Sequence, residues 1–593
     1  MTPPGACVTI GFMKHRFLAG AGGGILALSL AVLSGCQTWR KPPAGPDASP
    51  KAGPDKNLSD RGRALYHFSV AQLKENAGDQ DGVTAELKQA LTFDPSSDYL
   101  HLQLADLLLK TGKAAEAEAE AKAALQLAPQ SSAAADFLAV LYLNTNRAAE
   151  AQAVLEALIA RDPDHEDAHL HLTMALLQQG FPGPAVENLR RYLKQHPNSA
   201  NAHYFLGQVL FKLDQYQDAI GEYKEALRIQ PSFYYALQEL GQSYMLTKQK
   251  DKGVETFSRL LSYFPNDNET RNILANTLIE MERWDQALEA LAQGKAEDES
   301  IAEWWLSSGY IYLRQKKYEQ AGAEYRELLG RDPKNEDALF YLGVLAQLQD
   351  QPEPARGFFE KIPKESARYP DARRRIAWSY KEEGHRDQAL DFLKQLSREM
   401  PQVVPYYLDR AALYQEAGQM DLALGVLMEG LQTNPGEEDL TYQVGVIYDL
   451  TGDHDLAVAQ MEKILEKNPK SARALNFIGY SYADRGIKLA EAEKLIRQAL
   501  EQEPDSGAIL DSLGWVFYQR KQYAEALKWL TQAIAKMPED PEISTHLGDL
   551  YSGQGQKKRA LEYYQKALES LKDNPRPGLA EKIKTKIEKL KGK

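Results

Sequence analysis

Prolines punctuate this chain at a fixed interval. Pro95, Pro129, Pro163, Pro197, Pro231, Pro265, Pro333, Pro401, Pro435 and Pro469 lie 34 or 68 residues apart, and Pro504 and Pro538 continue the series. A period of this length marks a stack of small units, none of which buries its apolar face alone. In a 34-residue frame opened at Ala64, the eighth position reads Ala71, Ala105, Ala139, Thr173, Gly207, Gly241, Ala275, Gly309, Gly343, Ala377, Ala411, Gly445, Gly479, Gly514 and Gly548. The twentieth is alanine apart from Val83 and Gly253, and a one-residue insertion places Ala492 a step late. Two small-residue columns twelve apart let two antiparallel helices approach closely, and the proline ends the second helix before the next unit begins. A chain of 593 residues is too long for one compact core, and the repeat supplies many small ones.

Composition narrows the partners. A net charge of −13 argues against nucleic acid. Cys7 and Cys36 both lie near the N-terminus, so neither a disulfide framework nor a cysteine zinc site holds the body together.

Within the frame, Leu240-Gly241 with Tyr244, Leu513-Gly514 with Phe517 and Leu547-Gly548 with Tyr551 repeat in register. These residues resemble the core of the tetratricopeptide repeat (TPR), over residues 64 to about 572. The resemblance implies an all-α solenoid, a right-handed superhelix of about fifteen helix-turn-helix units: units 1–7 in 64–300 and units 8–15 in 301–572. Units seven, nine and fifteen lack the proline, having Glu299, Ala367 and Lys572 there, and QGKAEDES after unit seven predicts a looser joint. Beyond Pro575 and Pro577, Leu579, Ile583, Ile587 and Leu590 share one side of a helix within 576–591, which reads as a terminal cap.

The N-terminus reads as a targeting segment. Met13-Lys14-His15-Arg16 precedes an apolar stretch from Phe17 to Leu33 and then Leu33-Ser34-Gly35-Cys36, a secretory signal pattern over residues 1–35. Residues 1–12 read as an upstream extension or a misassigned start, leaving Met1 or Met13 as the first residue. The stretch is at the short limit for a membrane-spanning helix. Its last four residues resemble the lipobox of bacterial lipoproteins, which implies lipidation at Cys36, as by palmitate, and a membrane partner; Gln37, rather than aspartate, implies the outer membrane. A lipid anchor adds about 0.8 kcal/mol per buried methylene. Residues 36–60 (KPPAGPDASPKAGPDKN within them) hold too few apolar side chains to fold and read as a tether, reaching at most about 80 Å.

One motif points elsewhere. HEDAH, His165 to His169, has the H-E-x-x-H spacing by which a helical face offers two imidazoles to zinc and a glutamate to its water, as in a metalloprotease. In the frame, Pro163 closes unit three, so His165 falls in a turn and His169 at the fourth position of the next helix. Unit nine reads Asn335-Glu336-Asp337-Ala338-Leu339 there, which makes both histidines ordinary turn and packing residues. With no other nucleophile or phosphate-loop motif in the body, the expectation is a non-enzyme with no cofactor and no metal.

Positions five, nine and twelve of each first helix form a stripe beside the packed face, and in this repeat family that stripe lines the concave groove. In units five to seven it comprises Tyr204, Gln208, Phe211, Gln238, Gln242, Met245, Asn272 and Asn276; carboxamides both donate and accept, which suits the backbone of an extended peptide. Further on it is more aromatic: Tyr310, Phe340, Trp378, Tyr442, Tyr480, Trp515 and Tyr518. Arg374 and Lys381 flank Trp378, as a solvated basic patch or a seat for a peptide carboxylate.

Ala474 to Leu527, followed by Ile543-Ser544-Thr545-His546-Leu547-Gly548-Asp549, looks like the C-terminal module of outer-membrane TPR lipoproteins. Some of these are adaptors that bring clients to a carboxyl-terminal-processing protease. That resemblance implies a lipid-anchored scaffold on the periplasmic face, binding protein or peptide partners. The alternative is an assembly lipoprotein of an exopolysaccharide or pilus export system.

Overall fold

The computed structural model describes residues 58–573, 576 and 578–592; the expected leader, Cys36 and nearly all of the tether lie outside the described residues. Thirty-one helices and no strand are found among them. Fifteen hairpins, each a helix A followed by a helix B, precede a terminal helix at Leu579–Lys591, so the expected all-α solenoid is the observed fold. The described residues form two compact units, 58–324 and 325–592. None of the described helices is long and apolar enough to cross a membrane.

Each hairpin is built from the same local signals. A polar residue before helix A often accepts a hydrogen bond from the helix's first turn: Ser97 from Leu100 N, Ser131 from Ala134 N, Asn335 from Ala338 N. Between A and B, one residue per repeat adopts a left-handed conformation that reverses the chain. It is glycine at Gly112, Gly180 and Gly418, but Asn146, Asp214 and Lys248 take the same φ elsewhere.

The two small columns meet large side chains. A Cβ added to Gly207 would lie 2.5 Å from the Tyr223 ring, and one added to Gly241 would lie 2.4 Å from that of Phe257. Gly343 faces Phe359, Gly445 faces Met461 and Gly548 faces Tyr564 in the same way. Each large residue stands at position 24, on helix B. Where position eight is alanine, as at Ala139, Ala275 and Ala411, position 24 is the smaller leucine: Leu155, Leu291 and Leu427, all fully buried. In these repeats the knob on helix B is matched to the hole on helix A, while Gly479 and Gly514 meet the aliphatic Ile496 and Leu530.

Three irregularities have local causes. The segment expected as a looser joint is filled: helix B of repeat 7 runs on to Glu297, and buried Trp304 packs over Gly294 and donates its indole N–H to the Asp298 carbonyl at 3.2 Å. Helix B of repeat 9 spans only Pro352–Glu360, because Pro363 cannot continue it. The insertion in repeat 13 is absorbed at the A–B turn, where Gly486 and Lys488 both have positive φ, and Ala492 still reaches the core.

These contacts predict opposite signs for two glycines. Gly207→Ala should lower stability by about 1–3 kcal/mol through overpacking against Tyr223. Gly221→Ala, on the open side of helix B, should raise it by about 0.5–1 kcal/mol. Thermal denaturation of both variants reads the two signs directly.

Candidate protein-binding groove

Within each compact unit, helix A of one repeat touches helix A of the next: 132–144 with 166–178, then 200–212 and 234–246 in the first unit, and 472–484 with 507–519 and 541–553 in the second. Successive B helices do not approach to this extent. The A helices thus form the inner wall. Along it, residues 35 apart become neighbours, one more than the repeat length. His171 Nδ1 donates to Asp136 Oδ1 at 2.8 Å, Arg374 grips Asp409 with two bonds of 2.6 and 3.0 Å, Lys381 reaches Glu416 at 2.9 Å, and His546 Nδ1 sits 2.9 Å from Asp511 Oδ2. In three of these pairs position six of one repeat closes over position five of the one before, and Lys381 and Glu416 join positions twelve and thirteen in the same way. The 5-9-12 stripe omits position six and with it Asp409 and His546, although complementary charges 35 apart mark both in the sequence.

This ladder sorts the expected groove residues. In repeats 9–15 the aromatics are already partnered. Phe340, 4% exposed, lies under the Arg368 and Arg375 guanidiniums at 5.1 and 5.3 Å. Trp378 carries the Lys381 ammonium at 4.5 Å, and Tyr442 carries Arg473 at 4.9 Å. Tyr480 donates to Glu542 two repeats on, at 2.9 Å. Trp515, 7% exposed, is stacked between Tyr518 and His546 at 4.6 and 4.1 Å. Burial alone would pull His546 toward neutrality, but the Asp511 carboxylate outweighs it and holds the imidazole above its ordinary value. Arg374 and Lys381 are bound to the next repeat's acids, which leaves them no part as an open carboxylate seat.

Repeats 5–8 differ. Tyr204 is 5% exposed, packed against Phe233 and Tyr235. Phe211 and Met245 lean away from the wall toward their own hairpins, Phe211 against Tyr216 and Met245 against Gly253. Gln208 donates to the Tyr204 hydroxyl at 2.7 Å, Asn276 donates to Asn272 at 3.0 Å, and Tyr310 accepts from Arg314 at 3.0 Å. Gln238 and Gln242 are half-buried, and neither makes a side-chain hydrogen bond within the described residues. Two carboxamides one turn apart thus keep all their donors and acceptors available.

The histidines of the H-E-x-x-H match are otherwise engaged. His165 caps its helix, accepting from Ala168 N at 3.2 Å, so it is not on the helical face the motif requires. His169, 2% exposed, lies with Nδ1 2.8 Å from Asn188 Oδ1 and Nε2 3.1 Å from the Pro163 carbonyl; Asn188 also donates to Thr173, the non-small residue of the eighth column. No group of three or more His, Cys, Asp or Glu side chains among the described residues is placed to hold a metal ion. His101 and His203 make the same clasp, to Glu120 and the Pro95 carbonyl and to Glu222 and the Pro197 carbonyl. The fourth position thus ties helix A to the preceding proline turn and to its own helix B.

Two outcomes follow from this clasp. His169→Ala should bind no less zinc than the parent and lose about 1–3 kcal/mol of stability, since it strands buried acceptors; stoichiometric zinc in the parent by elemental analysis would reverse the assignment. For His203, hydrogen bonding to Glu222, opposed by burial and helped by the Pro197 carbonyl, raises the imidazole pKa. The stabilisation is full below the unfolded value of about 6.5 and is lost as pH rises through the raised folded one. Melting curves of His203→Asn against the parent should therefore differ most at acidic pH and converge in alkali.

Models described as tetratricopeptide repeat match residues 77–141, 112–177, 312–377 and 517–581, residues 173–232, 272–336 and 488–541, and residues 235–267, 371–402 and 439–471. A TPR repeat-containing protein of Pseudomonas aeruginosa is 46% identical over 54 residues, 9% of either chain. The N-terminal acetyltransferase A complex auxiliary subunit of Arabidopsis thaliana is 33% identical over 105 residues, 18% of this chain and 12% of that one. The chain thus matches only a small part of either relative's length. Among solved structures, a tetratricopeptide repeat protein from Parabacteroides merdae is 19% identical, with 44% of this chain and 99% of that one covered at a TM-score of 0.35. A thermophilic TPR protein in Thermus thermophilus is 22% identical, covering 31% and 100% at a TM-score of 0.27.

Proposed function

Because the chain belongs to the tetratricopeptide repeat family, we propose that it is a protein-binding scaffold that captures extended segments of its partners along the inner wall of repeats 5–7. The observation that carries this reading is the unused hydrogen-bonding capacity of Gln238 and Gln242 on a half-buried wall. Polar groups so placed are best satisfied by an edge of backbone N–H and C=O groups, which demands little of the partner's side chains. The wall of repeats 9–15, where arginines and lysines cover the aromatics, serves instead to stiffen the scaffold.

We further propose that the scaffold is lipid-anchored through Cys36 on the periplasmic face of the outer membrane, where it presents clients to a carboxyl-terminal-processing protease. The basic, apolar and small-residue order of the leader, with Gln37 after the cysteine, supports the location. The C-terminal resemblance supports the protease. The Arabidopsis relative, by its name, is an auxiliary subunit of an enzyme complex, which is in keeping with an accessory role.

Cross-linking in intact cells, followed by identification of the captured proteins, tests both levels. A periplasmic protease and its substrates are the expected catch, and an export channel would instead favour the assembly role. Gln238→Ala combined with Gln242→Ala should weaken client capture roughly tenfold, about 1.4 kcal/mol, with no loss of melting temperature. An unchanged affinity would move the binding site elsewhere.

A further inference from the structure

The inner wall carries one carboxylate that its neighbours leave unanswered. Glu239 stands at position six of repeat 6, on the rung where His171 meets Asp136, Asp409 meets Arg374 and His546 meets Asp511. The residue 35 back from it is Tyr204, whose hydroxyl accepts from Gln208 and makes no hydrogen bond to the acid. Glu239 is half-buried, makes no side-chain hydrogen bond or ion pair among the described residues, and has no basic side chain bearing on it. Burial holds its carboxyl above the ordinary carboxylate range.

The surroundings are those of a receptor for positive charge. Tyr235, one turn before Glu239 on the same helix, is half-buried and borders the acid, and it packs at 6.4 Å on the buried Tyr204 ring. Behind them Tyr223 is fully buried, and its hydroxyl has no hydrogen-bond partner, a second polar group left unsatisfied beside the first. Gln238 and Gln242 flank Glu239 on the open wall.

We infer that Glu239, with Tyr235 one turn before it, is a subsite for the cationic side chain of a lysine or arginine in the captured segment. An ammonium or guanidinium would be paired by the carboxylate and received on the accessible part of the Tyr235 ring. An apolar side chain would leave the acid unpaired, and an acidic one would be repelled. The inference rests on the groove reading above and adds to it one specific determinant: Gln238 and Gln242 hold the backbone whatever its sequence, and Glu239 selects for a basic residue at one position along it.

Random-peptide display on the full chain tests this. Peptides selected by the parent should share a Lys or Arg at one fixed position. Glu239→Gln should weaken them roughly tenfold, about 1.4 kcal/mol, and Glu239→Lys should select an acidic residue at that place. A purely structural role would make Glu239→Gln less stable, whereas removing an unpaired, half-buried charge should leave the melting temperature equal or higher. Peptides that lose binding with Gln238→Ala and Gln242→Ala, yet share no basic position or bind Glu239→Gln equally well, would overturn this subsite and leave the groove standing. A parent chain that selects no peptide at all would overturn both.

Discussion

A size match between two helices of one hairpin sets everything else in this protein. Position eight on helix A is small because position 24 on helix B is large: glycine lies before the rings of Tyr223, Phe257 or Phe359, and glycine or alanine before aliphatic side chains such as Leu530 or Leu155, Leu291 and Leu427. Interiors are packed too densely for one member of such a pair to change alone. Because this match holds each hairpin at a fixed helix separation, successive A helices come close enough to share side chains. The inner wall, and any site on it, is a product of that spacing.

On the wall the controlling number is 35. A repeat of 34 residues returns to the same place in the next unit, but a side chain at position five meets position six of its successor. The extra residue reflects one helix A being turned slightly against the next, so the touching faces are not identical. Those contacts are where opposite charges have been placed. Each such pair joins two repeats directly and adds to the apolar interface that neighbouring units share, the only kind of interface a solenoid has.

How much of this the chain disclosed depended on whether a feature is local. The period, the small columns, the closing prolines and the insertion before Ala492 are patterns along the chain, and each corresponds to an observed element. The terminal helix was equally plain from Leu579, Ile583 and Leu590. The joint after repeat 7 misled because a polar, glycine-containing run looks loose; Gly294 is there so that Trp304 can lie against the backbone. The groove was half legible. Position nine puts Gln242 on the wall with its carboxamide unengaged, but position twelve turns toward the A–B hairpin in Phe211 and Met245, and Tyr204, Phe340 and Trp515 are covered by the next repeat. Helical periodicity tells which residues share a face; it does not tell what stands opposite.

Repeat 6 shows how a stack can carry an unfavourable group. A carboxylate with no partner, half-buried beside tyrosines, opposes folding of its own unit. In a solenoid that opposition is local, since each repeat answers only to its neighbours. Repeat 6 and the one before it are firmly packed: Tyr223 is seated on Gly207 and Phe257 on Gly241, with Ala219 and Ala236 fully buried beside them. That packing is what lets the wall keep a charge uncompensated, and an uncompensated charge beside rungs that are paired has most to gain from what binds there.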